Sequence, residues 1–285
     1  MGWQSRGMRS SPVAIAVLAC LAATPAHADW EVAVHGGPNF PFYQQSFAFD
    51  PGPLGLPGGA VIDQDGLYRL DGKGGLSFGG ALAFHPHPGI GLELRLDTAD
   101  VSVRTGGVSY RVRVALPPPL GTLRSTVAFT EGEGDLERLR PVSLNLRLRS
   151  PGSTRVTASG GISYLPAFRF AIRQPIEASL GDGPQFEVGR IGIPAEARPA
   201  EEGDGRWGVN GGIGIERRVS ARVRLQADGR YFRFQRQTLY WGQPTATGTL
   251  TPLQDQLVRE ITARLDPVRF NPTFFQATVG VALSF

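Results

Sequence analysis

Apolar and polar residues alternate along eight stretches of this chain. In WEVAVHGG, Trp30, Val32 and Val34 face one way and Glu31, Ala33 and His35 the other. LSFGGALAF sets Leu76, Phe78, Leu82 and Phe84 against Ser77, Gly79, Ala81 and Ala83. IGLELRLDTAD, PVSLNLRLR, STRVTASGGISY, RWGVNGGIGIE and ARVRLQADGRY repeat the pattern, and TFFQATVGVALSF closes it with Phe275, Ala277, Val279, Val281, Leu283 and Phe285 on one face. A period of two predicts β-strands, each with one apolar face. The connections alternate too: tight at 85–89, 150–153 and 217–220, and long at 41–74, 100–139, 167–205 and 237–272.

A compact soluble domain seldom carries four loops of that length. An even number of antiparallel strands with short turns at one end and long loops at the other is the signature of a transmembrane β-barrel. The ionic residues then decide which face meets lipid. Glu93, Arg95, Arg224 and Asp228 lie well inside their segments. An arginine at the bilayer midplane on the lipid face costs roughly 2–4 kcal/mol. Several of them would consume a typical folding stability of roughly 5–15 kcal/mol. The ionic face therefore points inward. The inward charges predicted in this way are Glu31, Glu93, Asp97, Glu216 and Asp228 with Arg95, Arg147, Arg149, Arg155, Arg222, Arg224 and Arg230; His35 joins them.

The first 28 of the 285 residues read differently. Arg6 and Arg9 precede the apolar run PVAIAVLACLAA, and small residues follow in TPAHA. That is the layout of a cleaved secretory signal peptide, which leaves residues 29–285 as one mature domain. The apolar run is shorter than the roughly 20 residues a membrane helix needs, and no later run is longer. The sole cysteine, Cys20, falls in this leader, so the mature chain has no thiol for a disulfide or a metal. Two of the 29 basic residues leave with the leader, so 27 bases face 25 acids, a net charge of +2. No basic tract suggests nucleic acid.

These features resemble the small outer-membrane β-barrels of the OmpA/OmpX type. The segments that carry the likeness are TASGGISY, GVNGGIGIERRVSARVRLQADGRY and the alternating strand ending on Phe285. The resemblance implies an all-β, closed, antiparallel up-and-down barrel in the cell outer membrane, surrounded by outer-membrane lipid, with both termini and the tight turns in the periplasm. It also implies that Phe275, Val279, Val281, Leu283 and Phe285 form a signal read by the barrel-assembly machinery. Eight strands are expected. The alternative is ten, because GVSYRVRVAL and TLRSTVAFT, joined by PPPLG, also alternate. A hairpin rising above the membrane inside the second long loop is the preferred reading of that pair.

The expected role follows from the lumen. Nearly balanced charges in so narrow a space should pair and plug it, leaving contacts with an extracellular ligand or partner to the long loops. A small channel for polar solutes is the alternative. A barrel enzyme needs a nucleophile and a base, or paired carboxylates, within reach. The mature histidines are only His35, His85 and His87, and no catalytic, cofactor or metal site is expected. HPHPG reads as a turn. The last long loop holds TPLQDQLVREITARLDP, a helix over 251–267 with Thr251 as N-cap, Pro252 at the first helical position and Leu253, Leu257, Ile261 and Leu265 on one face.

Overall fold

The computed structural model describes residues 29–48, 60–62, 67–106, 108–115, 122–129, 132–136, 138–166, 168, 170–174, 176–180, 195–199, 205–241, 263 and 267–285. The leader at 1–28 lies outside them, as does the helix expected over 251–267 except for Ala263 and Pro267.

Eight strands follow the alternating segments: β1 (Asp29–Pro41), β2 (Leu67–His87), β3 (Ile90–Thr105), β4 (Val142–Arg149), β5 (Thr154–Leu165), β6 (Arg206–Arg218), β7 (Val223–Phe234) and β8 (Thr273–Ser284). Each pairs antiparallel with the next. β8 returns to β1, with Ser284 opposite Glu31 and Val281 opposite Val34, and the ring closes. Closure leaves no barrel strand with an unpaired edge, the condition for spanning hydrocarbon. Among the described residues no helix is long and apolar enough to cross a membrane; the strands do so instead.

The period of two sorts the side chains as expected. Leu94 is 44 % exposed, Ile213 72 % and Val281 39 %, all on the outer surface, while Glu31 and Arg230 keep 1 % and 2 %. This apolar exterior and polar interior invert a soluble protein. Aromatic residues ring both ends of the apolar band. Trp30 packs on Phe84 at 4.8 Å near the tight turns, and Tyr164 on Trp207 at 5.1 Å and Phe40 on Phe275 at 6.4 Å near the other end. Residues 30 to 40 mark the height of the band on β1. At ~3.3 Å per residue and a tilt near ~40° it is about 25 Å tall, one bilayer core.

The turn end is compact. Gly152 takes φ +115° between β4 and β5, a backbone position that suits glycine. β2 runs on to His87 through an irregular register between Phe84 and His87, so the turn is shorter than HPHPG suggested and His85 is buried on the inner face.

The opposite end departs from the sequence reading. Much of what reads as loop continues the barrel wall. Gln44–Ala48 pairs with the start of β2, and the far ends of β2 and β3 pair with each other through Gly74 and Val101. Gly132–Leu136, Phe170–Gln174, Ala195–Pro199, Gln237–Trp241 and Val268–Phe270 then follow in order around the rim. The short, irregular segments obscure a period-two signal there. The first and last of this upper tier meet through a side chain: Gln45 Oε1 accepts from Tyr43 Oη at 2.8 Å and from the Arg269 amide at 3.1 Å. The rival hairpin, Val108–Ala115 and Thr122–Phe129, pairs with itself, with Ala60–Ile62 and with Ile176–Leu180 in a separate four-stranded sheet. The ring therefore has eight strands and not ten.

Leu94→Arg, in the middle of the outer band, is expected to lower stability by about 2–4 kcal/mol, whereas Val219→Arg in the β6–β7 turn should change it by less than about 1 kcal/mol. Urea titration of both variants folded into lipid vesicles checks this; equal effects would mean that Leu94 does not face lipid.

Candidate functional site

Among the described residues, the lumen gathers ionic side chains from five of the eight strands. Because inward residues recur every second position, β1, β3, β4, β6 and β7 each deliver charges at successive heights. Near the turn end, Glu31 Oε2 accepts from Arg149 at 2.6 Å and from Arg224 at 2.5 Å, and its Oε1 accepts from Arg147 at 3.1 Å. Glu216 accepts from Arg147 as well, and from Arg149 at 3.4 Å. Arg147 also lies 3.1 Å from Glu93 Oε2, which links this layer to the next.

In the middle, Glu93 Oε1 accepts from Arg230 at 3.1 Å and from the Asn145 amide at 3.0 Å. Arg230 donates to Asn210 Oδ1 and to Ser159 Oγ, each at 2.7 Å, and to Asp228 at 3.3 Å. Asn210 in turn donates to Asn145 and Ser163 at 2.8 Å. Above them Arg95 reaches Asp228 at 3.3 Å and Asp97 at 2.8 Å, and the other Asp97 oxygen pairs with His35 Nε2 at 2.8 Å. Gly79 makes room for this last pair: a β-carbon there would sit 2.5 Å from His35 Nε2 and 2.6 Å from Asp97 Oδ1.

One connected network thus runs from Glu31 to His35. Its five carboxylates (Glu31, Glu93, Asp97, Glu216 and Asp228) match five guanidiniums (Arg95, Arg147, Arg149, Arg224 and Arg230). Two residues expected in the lumen stand outside it. Arg155 follows the β4–β5 turn directly and donates to the Gly152 carbonyl at 3.1 Å, and Arg222 belongs to the exposed β6–β7 turn. Both keep inward parity but lie past the last full layer.

A second layer closes the lumen beyond the charges. Phe232 stacks on Phe274 at 4.8 Å and on Phe234 at 6.2 Å, and Ala99, Val101, Leu139 and Leu165 are buried with them. The pattern held this signal: Phe232 and Phe234 continue the inward parity of Arg230, Leu165 that of Ser163, and Phe274 that of Gln276. Being apolar, they carry no charge to mark them as lumen residues. His85 was missed for a different reason, its place in a stretch read as turn. The cavity between Ala81, Glu93, Arg95, Arg147, Asp228 and Arg230 amounts to about 10 Å³, room for about one water.

The fold is that of an outer-membrane β-barrel. No family model matches the sequence, and no curated protein is similar to it. Among solved structures, similarity extends to the outer membrane protein OprG of Pseudomonas aeruginosa, at 12 % identity and a TM-score of 0.39 over 91 % of this chain and 97 % of that one. The outer membrane protease OmpT of Escherichia coli gives 10 % identity and 0.36 over 92 % and 98 %. The translocator domain of the autotransporter NalP of Neisseria meningitidis gives 11 % and 0.26 over 95 % and 93 %. The residues of the terminal strand face outward: Val279, Val281, Leu283 and Phe285 are exposed, and Phe275 is half-buried against Phe40.

Breaking a buried ion pair from one side costs roughly 3–5 kcal/mol, because the remaining charge keeps no partner. Glu31→Gln, which faces three arginines, is expected to destabilise the barrel by that amount, and adding Arg149→Gln should restore part of it. Unfolding of the single and double variants in vesicles, followed by tryptophan fluorescence, checks the pair; a double variant no better than the sum of its parts would contradict the coupling.

Proposed function

We propose that this protein is a closed outer-membrane barrel with a structural or binding role, exported through its leader and seated with the tight turns in the periplasm and the upper tier outside the cell. Contacts with an extracellular ligand or partner are made by that tier and its separate four-stranded sheet. The observation that carries this reading is the double closure of the lumen. A neutral ionic network fills the lower part, and the layer of Phe232, Phe234 and Phe274 covers it. An ion crossing the barrel would have to part five arginines from their carboxylates and then displace stacked aromatic rings. Insertion by the assembly machinery through the strand ending at Phe285, and a surround of outer-membrane lipid, belong to the same proposal.

A small channel for polar solutes is the second reading. In its favour, His35 Nδ1, one Arg95 nitrogen and both amide atoms of Gln276 are buried without partners, which leaves polar groups along the axis for water. A catalytic role has less support. His35 is held by Asp97, and among the described residues no hydroxyl side chain bonds to its other nitrogen.

Purified protein in planar lipid bilayers is expected to stay silent. Replacing Phe232 and Phe274 together by Ala should leave the ionic layer to block current alone, again without steady openings. Steady conductance of the wild type that changes with Glu93→Gln or Arg95→Gln would replace the plug by the channel.

A further inference from the structure

Every arginine of the buried lumen network faces a carboxylate, but four arginines at the turn end do not. Arg155, Arg217, Arg218 and Arg222 make no ion pair among the described residues, and Arg155 spends its Nε on the Gly152 carbonyl. The acidic groups available nearby are few. Asp29 is already 3.5 Å from Arg224. The rim is therefore strongly positive.

The four come from two neighbouring hairpins tied into one unit. The Arg218 amide donates to the Ser153 carbonyl at 3.0 Å, joining the β6–β7 turn to the β4–β5 turn. The β6–β7 turn is held in shape by Val219 N–H donating to the Val223 carbonyl at 3.0 Å and by Ser220 Oγ accepting from the Val223 amide at 3.1 Å. The guanidiniums thus extend from a fixed base. Arg217 has outward parity, in line with the exposed Ile213 and Ile215, and its register partners are Thr154 and the exposed Leu225. Val219 is exposed at the tip of the same turn. Trp30 and Phe285 mark the membrane boundary at this end. A basic group one step beyond an apolar wall, with an apolar stem to lie along it, is placed at headgroup height. There a guanidinium can grip a phosphate through two parallel hydrogen bonds.

We propose that the joined rim of the β4–β5 and β6–β7 turns binds the phosphate of an anionic phospholipid in the adjoining leaflet, with the outward Arg217 as its ligand and with the exposed Arg218 and Arg222 and the half-buried Arg155, all of inward parity, adding positive charge at the rim. The proposal goes beyond the closed-barrel reading and does not depend on whether the lumen conducts. The lipid is recognised by a phosphodiester charge that no cationic headgroup neutralises, as choline does in phosphatidylcholine, and the missing counter-charges of the rim are supplied from the membrane.

The test is lipid retention by the folded full chain, counted by native mass spectrometry after release from micelles holding equal amounts of phosphatidylglycerol and phosphatidylcholine. Wild type is expected to keep phosphatidylglycerol preferentially. Each neutralised arginine should weaken that preference by roughly fivefold, and R217Q/R218Q/R222Q should abolish it while keeping the heat-dependent gel shift of a folded barrel. Arg69→Gln, at the far end, should leave it unchanged. Equal retention of both lipids by the wild type, or a preference that survives the triple substitution, overturns the proposal. Displacement of the lipid by inorganic phosphate alone overturns it as well, because the rim would then be a site for free anions.

Discussion

A ring of eight strands encloses a space that only side chains can fill, and hydrocarbon bathes its outside. These two conditions leave an ionic residue within a strand no place except the interior. An interior ion without a partner costs several kcal/mol, so the interior must balance. The five carboxylates and five guanidiniums of this lumen meet that requirement layer by layer, with Asn145, Asn210, Ser159 and Ser163 taking up remaining hydrogen bonds. Bulk is the other limit. Gly79 admits the His35–Asp97 pair, and small inner residues such as Ala33, Ala81, Ala83 and Ala282 let long arginines cross the axis. The choice of residues on the inner face is thus set by charge and volume together.

The upper tier obeys a different constraint. Beyond the membrane band the wall is no longer pressed by hydrocarbon, and its segments shorten. At the level where β1 ends at Pro41 and β8 begins at Thr273, the inner face turns from ionic to apolar. That layer behaves like the core of a soluble protein, in which Phe232, Phe234 and Phe274 pack away from water. The molecule therefore has two kinds of interior stacked on one axis, one neutral by pairing and one apolar.

The parity of each segment made the membrane body legible. Once Arg224 is assigned inward, Gln226, Asp228, Arg230, Phe232 and Phe234 follow, and all of them lie on the inner face. Partners are another matter: nothing in the sequence says that Arg147 meets Glu31, Glu93 and Glu216, because that depends on the stagger of four strands around the ring. Parity also fails at strand ends. Arg155 and Arg222 have inward parity, yet the wall stops before it can enclose them. His85 shows the reverse case, since the prolines that follow it at 86 and 88 read as a break and the strand runs through to His87. The upper tier escaped because segments of three to five residues, separated by glycine and proline, are too short for alternation to stand out.

Arg147 belongs to the fourth strand, Glu31 to the first, Glu216 to the sixth and Glu93 to the third. Contacts between near strands can form in a partly built sheet, but the links of Glu31 to Arg147 and Arg149 on the fourth strand and to Arg224 on the seventh need the sheet to curl towards a closed circle. An open sheet would leave Glu31 without these three arginines. Its free energy should fall steeply only as the first and last strands join. Closing the ring is thereby favoured over stopping short of it, because Glu31 finds its full set of partners only in the complete barrel.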